Sequence, residues 1–253
     1  MLHLFSVLLH LKRHVSVDRE ANENSIFRAS AAFDGYFRRN RKALYMALKL
    51  FILGLPGSGK STVSLHITSF LNSRNWESTR FSDHVILKEM FLTDREHKQF
   101  KPTDHGGFDV HDITVFDIAL RRLEQEVNQY GLAAKQEKIV MIEFSRNDYL
   151  RAFQQFGDTF LRDAYFLYLN VDPEICKRRI RERIDNPLTE DDFFVSEFIF
   201  TNYYNKDNGR DIPHILKGGY GIGRQRIKII ENISSMGDIV EEINEFVDVI
   251  CRL

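Results

Sequence analysis

Two cysteines in 253 residues, Cys176 and Cys251, are too few for a disulfide framework, and neither has neighbours at metal-ligand spacing. A reducing, cytoplasmic setting is the expectation. An excess of either charge is also lacking, since 35 lysines and arginines face 36 acids for a formal charge of −1. That balance removes any global electrostatic case for nucleic acid or an anionic membrane, so a basic function has to be local. No apolar run reaches the roughly 20 residues of a membrane span. The apolar start "MLHLFSVLLHL" at 1–11 falls well short of that, and it lacks the basic opening of a signal peptide. Internal repeats and low-complexity tracts are missing too. Neither a membrane nor a specific nucleic acid is therefore an expected partner.

What is present reads as a globular α/β chain, with 43% hydrophobic and 28% charged residues. Four short apolar runs, at 50–53, 139–142, 165–169 and 227–230, read as buried parallel strands, and "STRFS" at 78–82 as a weaker fifth. Helical faces lie between them, marked by Val63, Ile67, Phe70 and Leu71, then by Ile113, Phe116, Leu120, Leu123 and Val127, and last by Ile239, Ile243, Phe246, Val247 and Ile250. Asp172 before Pro173 signals one helix start, and Ser235 with Asp238 another. Strands alternating with helices imply a parallel sheet covered on both faces. Residues 1–45 are Arg-rich and lack a period, while their acids (Asp18, Glu20, Glu23, Asp34) argue against a transit peptide. They are expected to be an accessory or non-native extension ahead of a domain at 46–253, which opens at Met46 with "MALKLFILG".

The most specific signal is "FILGLPGSGKST" at 51–62. Gly54, four residues, then Gly59-Lys60-Ser61 is the phosphate-binding P-loop spacing, between an apolar strand and an amphipathic helix as that motif requires. Glycines let backbone N–H groups point at phosphate oxygens, and the following helix adds its positive end. Gly54, Pro56, Gly57, Ser58, Gly59, Lys60, Ser61 and Thr62 are the expected nucleotide-binding set, with Lys60 on the β/γ-phosphates and the Ser61 hydroxyl on Mg²⁺. The Asn-Lys-x-Asp segment of a GTPase is absent, "YNKD" at 204–207 being only a partial echo. The strand that would serve a motor ATPase ends in the single acid Glu143, with Arg146 three residues on. ATP is the expected nucleotide.

"GLPGSGKST", "RFSDHVILKEMF", "IVMIEFSRNDY" and "NVDPEICKRRIRER", in that order, resemble the adenylate-kinase-like group of P-loop nucleoside and nucleotide kinases. The resemblance spans roughly 47–252. It implies a three-layer αβα P-loop fold, with a five-stranded parallel sheet flanked by helices and a short arginine-rich lid. It also implies a Mg-ATP-dependent phosphotransferase acting on a small molecule, with a nucleoside or nucleotide as the expected acceptor. By position, Asp83 is the candidate general base or acceptor-orienting group, with a helix N-cap as the alternative. Glu143 would organise Mg²⁺ or bind substrate hydroxyls, and Arg146 would fork onto a substrate phosphate or form a salt bridge. Where adenylate-kinase-like enzymes carry Asp-Gly-x-Pro-Arg, this chain has Glu143-Phe144-Ser145-Arg146, which argues against adenylate as acceptor.

In the lid segment Arg179 and Arg183 share one helical face and are the catalytic candidates, Arg178 and Arg181 a neighbouring one. A solvated basic helix paired with Glu174, Glu182 and Asp185 is the alternative. "KPTDHGGFDVHD" at 101–112 reads as a loop between helices that suits an acceptor site, with Asp109 as a reserve carboxylate. The glycines at 218, 219, 221 and 223 would lie near the adenine, while Phe193, Phe194, Phe198, Phe200, Tyr203 and Tyr204 read as core. A nucleotide-binding regulator or toxin-like effector that modifies a macromolecule is the competing function. Oligomeric state is open, a homodimer included.

Overall fold

The computed structural model describes residues 47–103, 107–131, 138–185, 195–204, 207–231, 237 and 239–252. The chain runs β1 (Leu48–Gly54), α1 (Lys60–Asn72), β2 (Glu77–Ser82), α2 (Asp83–Thr93), a hairpin of β3 (Phe100–Pro102) and β4 (Phe108–Val110), then α3 (Thr114–Gly131). It continues through β5 (Lys138–Phe144), α4 (Tyr149–Phe153), α5 (Asp158–Arg162), β6 (Ala164–Asn170) and α6 (Pro173–Asp185). The last elements are α7 (Glu197–Asn202), α8 (Ile212–Tyr220), β7 (Ile227–Glu231) and α9 (Val240–Cys251).

The main sheet has five strands in the order β2-β5-β1-β6-β7, and every pairing in it is parallel. All five expected strands form, the weaker one as an edge, but β7 at the other edge is buried only at Ile230 and is not the buried strand expected. Side chains alternate across the sheet. Phe51 and Leu53 of β1 enter the core cluster shared with α2, α3, α4, α5 and α8, whereas Leu50 and Ile52 enter the cluster shared with α1, α6 and α9. These are the three layers of an αβα P-loop fold. The first cluster is aromatic: Phe51 stacks on Phe166 at 4.9 Å between centroids and meets the edge of Phe156 at 5.3 Å.

Chain order explains where a ligand belongs. After β1 the chain moves out to β2, returns through β5 beside β1, and only then crosses to β6 on the other side. Such a reversal opens a crevice at the carboxyl ends of the flanking strands. Gly54 ends β1 at that point.

Two expectations change. The stretch 101–112 is no plain interhelical loop, because β3 and β4 pair antiparallel, Phe100 opposite Val110. Phe108 locks this hairpin onto α2 by stacking on Phe91 and His84. Ile113 is outside the helix it was expected to begin: Asp112 accepts the Thr114 N–H at 2.9 Å and α3 starts there, which leaves Ile113 48% exposed. Asp172 does cap α6, accepting from the Glu174 N–H at 2.7 Å. The Ser235–Asp238 signal, the extension 1–45, the lid segment 186–194 with Phe193 and Phe194, and Gly106 lie outside the described residues. Among those described, no helix is long and apolar enough to cross a membrane.

Among the described residues, both core clusters are built from residues 47–251. A chain shortened to begin at Met46 is therefore expected to melt cooperatively and to bind ATP like the full chain. Thermal melts with and without Mg-ATP check this, and an insoluble short chain would move the domain boundary toward the amino terminus.

Candidate functional site

The strand-to-helix turn at 54–60 takes its shape from three glycines at positive φ: Gly54 at 144°, Gly57 at 80° and Gly59 at 96°. Only glycine adopts such angles without strain. Space is as tight as geometry. A Cβ on Gly57 would sit 2.5 Å from the Cys176 carbonyl oxygen of α6, and one on Gly54 would sit 2.7 Å from Ser58 Oγ. Gly59 is the N-cap of α1 and offers no capping side chain. Among the described residues, no side chain caps the first turn of α1, which suits a phosphate there. Ser58 Oγ is fully buried without a hydrogen-bond partner among the described residues.

Lys60 is half-buried and folds back over the loop, donating to Gly54 O at 3.0 Å, Leu55 O at 2.8 Å and Ser145 Oγ at 2.7 Å. Burial lowers its pKa to about 8, with the Glu143 charge opposing. Ser61 is half-buried and Thr62 exposed at the first turn of α1. Pro56 is buried.

Two carboxylates flank this turn and have different surroundings. Glu143, next to last in β5, accepts a hydrogen bond from the Ser64 hydroxyl on α1, and the Arg80 Nε is 3.8 Å from the same Oε1. Asp83 opens α2, but Ser82 is the N-cap, its Oγ accepting the His84 N–H at 3.3 Å. The capping alternative for Asp83 therefore gives way. Asp83 instead pairs with Arg146, Nη1 to Oδ2 at 2.5 Å, with both side chains below a tenth exposed. Burial raises the Asp83 pKa, and the Arg146 charge opposes that rise. Arg146 also donates to Ser145 O at 2.6 Å and Phe116 O at 3.0 Å, and lies 4.6 Å from the centre of the Phe116 ring. A salt bridge, not an open fork, is what the structure shows at Arg146.

On α6 the arginines divide. Arg178 and Arg181 are exposed beside Glu182 and Glu197, at 3.7 Å and 3.3 Å. Arg179 faces the P-loop, its Nη1 3.9 Å from where a Gly59 Cβ would be. Arg183 is close enough to Lys60 to lower that ammonium's pKa. The remaining candidates are more distant in role. Asp109 lies in β4 and its Oδ1 is buried without a hydrogen-bond partner among the described residues. Gly218 and Gly219 are within α8 and Gly221, at φ 68°, is its C-cap, so that tract closes a helix. Phe200 and Tyr204 are buried, while Phe198 is 69% exposed, contrary to a core role.

Several residues here carried no readable signal. Ser145 holds Lys60, Ser64 holds Glu143, and the Tyr149 hydroxyl accepts the Gly54 N–H at 3.1 Å. Tyr149 is in turn fixed by its own N–H to Asn208 Oδ1 at 2.8 Å, and its ring meets Tyr168 edge-on at 5.8 Å. The Tyr168 hydroxyl donates to Asp207, whose other oxygen accepts the Gly209 N–H at 2.8 Å. The segment 207–209 is thus tied to the P-loop through two tyrosines, a link between strands and segments far apart in sequence. Tyr149→Phe would leave the buried Gly54 N–H without its acceptor. It is expected to lower stability by about 1–3 kcal/mol, read as a lower urea midpoint at unchanged slope.

The site fits a nucleoside triphosphate with Mg²⁺. Three glycine positions shape the cradle, and Ser61 with Glu143 offers one hydroxyl and one carboxylate. That short donor set suits Mg²⁺, which takes one or two carboxylates and fills its other positions with phosphate and water.

A family model described as an AAA domain matches residues 50–199. All four motifs that carry the kinase resemblance fall in that span. No curated protein matches the chain. Among solved structures, the chain is similar to an APS kinase of Mycobacterium tuberculosis in complex with AMPPNP and APS, at 12% identity and a TM-score of 0.48 over 80% of this chain and 98% of that one. It is also similar to a shikimate kinase from Acinetobacter baumannii in complex with shikimate, at 17% identity and a TM-score of 0.43 over 82% of this chain and 97% of that one.

Proposed function

The chain belongs to the AAA-domain family, and we propose that it is a Mg-ATP-dependent phosphotransferase acting on a small molecule. One observation carries this reading. Ser145 accepts from Lys60 with its hydroxyl and from Arg146 with its carbonyl, so a single residue joins the phosphate cradle to the Asp83–Arg146 pair. A cradle alone suits any nucleotide-using protein. A cradle joined to a separate buried carboxylate suits transfer between two bound molecules.

In this reading the P-loop backbone and Lys60 hold the β- and γ-phosphates. Ser61 and Glu143 would hold Mg²⁺, which would neutralise charge on the transferring group. Arg179 and Arg183 counter the negative charge that grows on the equatorial oxygens, a contribution worth orders of magnitude in rate when an arginine is well placed. Asp83 receives the acceptor's proton, and Arg146 holds Asp83 in position. The acceptor in this reading is nucleoside-like, and Phe116 and Tyr203, whose rings lie 4.9 Å apart near Arg146, offer it an aromatic face. Both cysteines are free, in keeping with a cytoplasmic protein.

Incubation with labelled ATP, Mg²⁺ and a panel of nucleosides, nucleotides and other small alcohols tests the reading. Appearance of a labelled acceptor supports it. Slow hydrolysis with no labelled product across the panel would remove the transfer claim and leave a nucleotide hydrolase or regulator.

A further inference from the structure

Arginine grips an anionic substrate by presenting two parallel N–H groups to it. Arg146 cannot do so as placed. Its Nη1 is on Asp83 at 2.5 Å and Ser145 O at 2.6 Å, its Nη2 is on Phe116 O at 3.0 Å, and its guanidinium lies over the Phe116 ring. Its Nε is buried without a hydrogen-bond partner among the described residues. Arg151 is closed in the same way. It meets Asp117 Oδ2 with Nη2 at 2.7 Å and Nε at 3.2 Å. Arg146 with Asp83 and Arg151 with Asp117 are thus two closed ion pairs, and all four charges act on the partly buried Tyr203. The Phe116 ring is 4.9 Å from that of Tyr203, so the surface beside these two pairs is aromatic and each arginine on it already has its counter-charge.

We propose that the phosphoryl acceptor is an uncharged alcohol, bound against Tyr203 with its hydroxyl at Asp83, and not a phosphate- or carboxylate-bearing anion. The inference rests on the phosphotransferase reading and sharpens it from small molecule to neutral alcohol. Its chemistry supports the choice independently of that surface. A phosphate acceptor already carries an anionic oxygen and needs cations around it, not a base. An alcohol is a poor nucleophile until its proton has somewhere to go, and a buried carboxylate supplies that. The acceptor oxygen forms a bond to the γ-phosphorus while the bond from that phosphorus to the bridging oxygen of the nucleotide breaks. The hydroxyl proton passes to Asp83, and the electron pair leaves with the nucleoside diphosphate. An anionic acceptor would instead bring its charge against Asp83 and compete with it for Arg146.

The test uses full-length protein in two arms. In the first, alcohols are paired with their own phosphate monoesters or carboxylates, for example each nucleoside with its 5′-monophosphate, and transfer from Mg-ATP is followed. The neutral member is expected to have at least about 100-fold higher kcat/KM, since like-charge opposition costs several kcal/mol. Efficient transfer to the charged member would overturn the inference and leave the phosphotransferase reading standing. In the second arm the P-loop is first saturated with a non-hydrolysable ATP analogue, and inorganic phosphate is then titrated in by calorimetry. No saturable binding below about 1 mM, near −4 kcal/mol, is the expected result for the wild type. Tighter phosphate binding would overturn the neutral-acceptor inference even if no substrate had been found. In Asp83→Asn, where Arg146 loses its counter-charge, phosphate affinity is expected to rise at least about tenfold. Failure of the wild type to bind the ATP analogue would remove the phosphotransferase reading itself, and this inference with it.

Discussion

Lys60→Ala is expected to lower kcat for phosphoryl transfer by at least about 10³-fold, the loss of a preorganised charge aimed at the reacting phosphate. The fold should survive. Among the described residues, Lys60 reaches two loop carbonyls and the Ser145 hydroxyl, all of which water can satisfy beside a half-buried site. The loop keeps its other supports, the Gly54 N–H on Tyr149 and the close approach of Gly57 to Cys176. Circular dichroism and a melt near wild type, together with lost transfer, would separate chemistry from folding. A pH series adds an independent check. Burial has brought the Lys60 pKa to about 8, so the free protein loses this charge as pH rises through that value. Bound phosphate favours the charged form, so nucleotide affinity should weaken between pH 7 and 9. The Ala variant should lack that dependence. Wild-type turnover in Lys60→Ala would overturn the site assignment.

The parts of this structure that were legible in the sequence are those governed by local pattern. Four apolar runs became strands because a parallel strand covered on both faces is mostly apolar; β5 is buried at every position, with Lys138 and Glu143 near its ends, whereas β7 is buried only at Ile230. The P-loop was legible because three glycines at fixed spacing have no commoner explanation than a backbone bent to hold phosphate. Arg179 and Arg183 separated from Arg178 and Arg181 by helical period alone. The hairpin was missed because its strands are three residues each and one contains Pro102, too short for an alternation to register. What the sequence could not carry were pairings across long separations. Ser145 on Lys60 spans 85 positions and Tyr149 on Gly54 spans 95. Neither type of residue signals function by itself. Arg146 shows the same limit from the other side. Its position after β5 suggested a substrate fork, but its partner is Asp83, 63 positions away, and only the folded chain decides between the two.

That partner makes Asp83→Asn the sharper experiment. If Asp83 takes the acceptor proton, the amide should lower kcat by about 10²–10⁴-fold while the KM for ATP stays close to wild type, since the phosphates rest on the P-loop. Because burial raises the Asp83 pKa, the acid limb of wild-type kcat should lie above the usual Asp value of about 3.9, and the variant should lack it. The substitution also has a structural consequence that must be separated from the catalytic one. Arg146 is left buried opposite a neutral group, and breaking a buried pair costs about 3–5 kcal/mol. Combining Asp83→Asn with Arg146→Met removes both charges and should recover most of that stability, without recovering kcat. Glu143→Gln provides the contrast. Its carboxylate is anchored by Ser64 beside the P-loop, so if it organises Mg²⁺, excess Mg²⁺ should partly restore its activity and leave Asp83→Asn unrescued. A stable double variant with wild-type kcat would reduce the Asp83–Arg146 pair to a structural ion pair. The proton would then have to go to Glu143 or, from the hairpin, to Asp109.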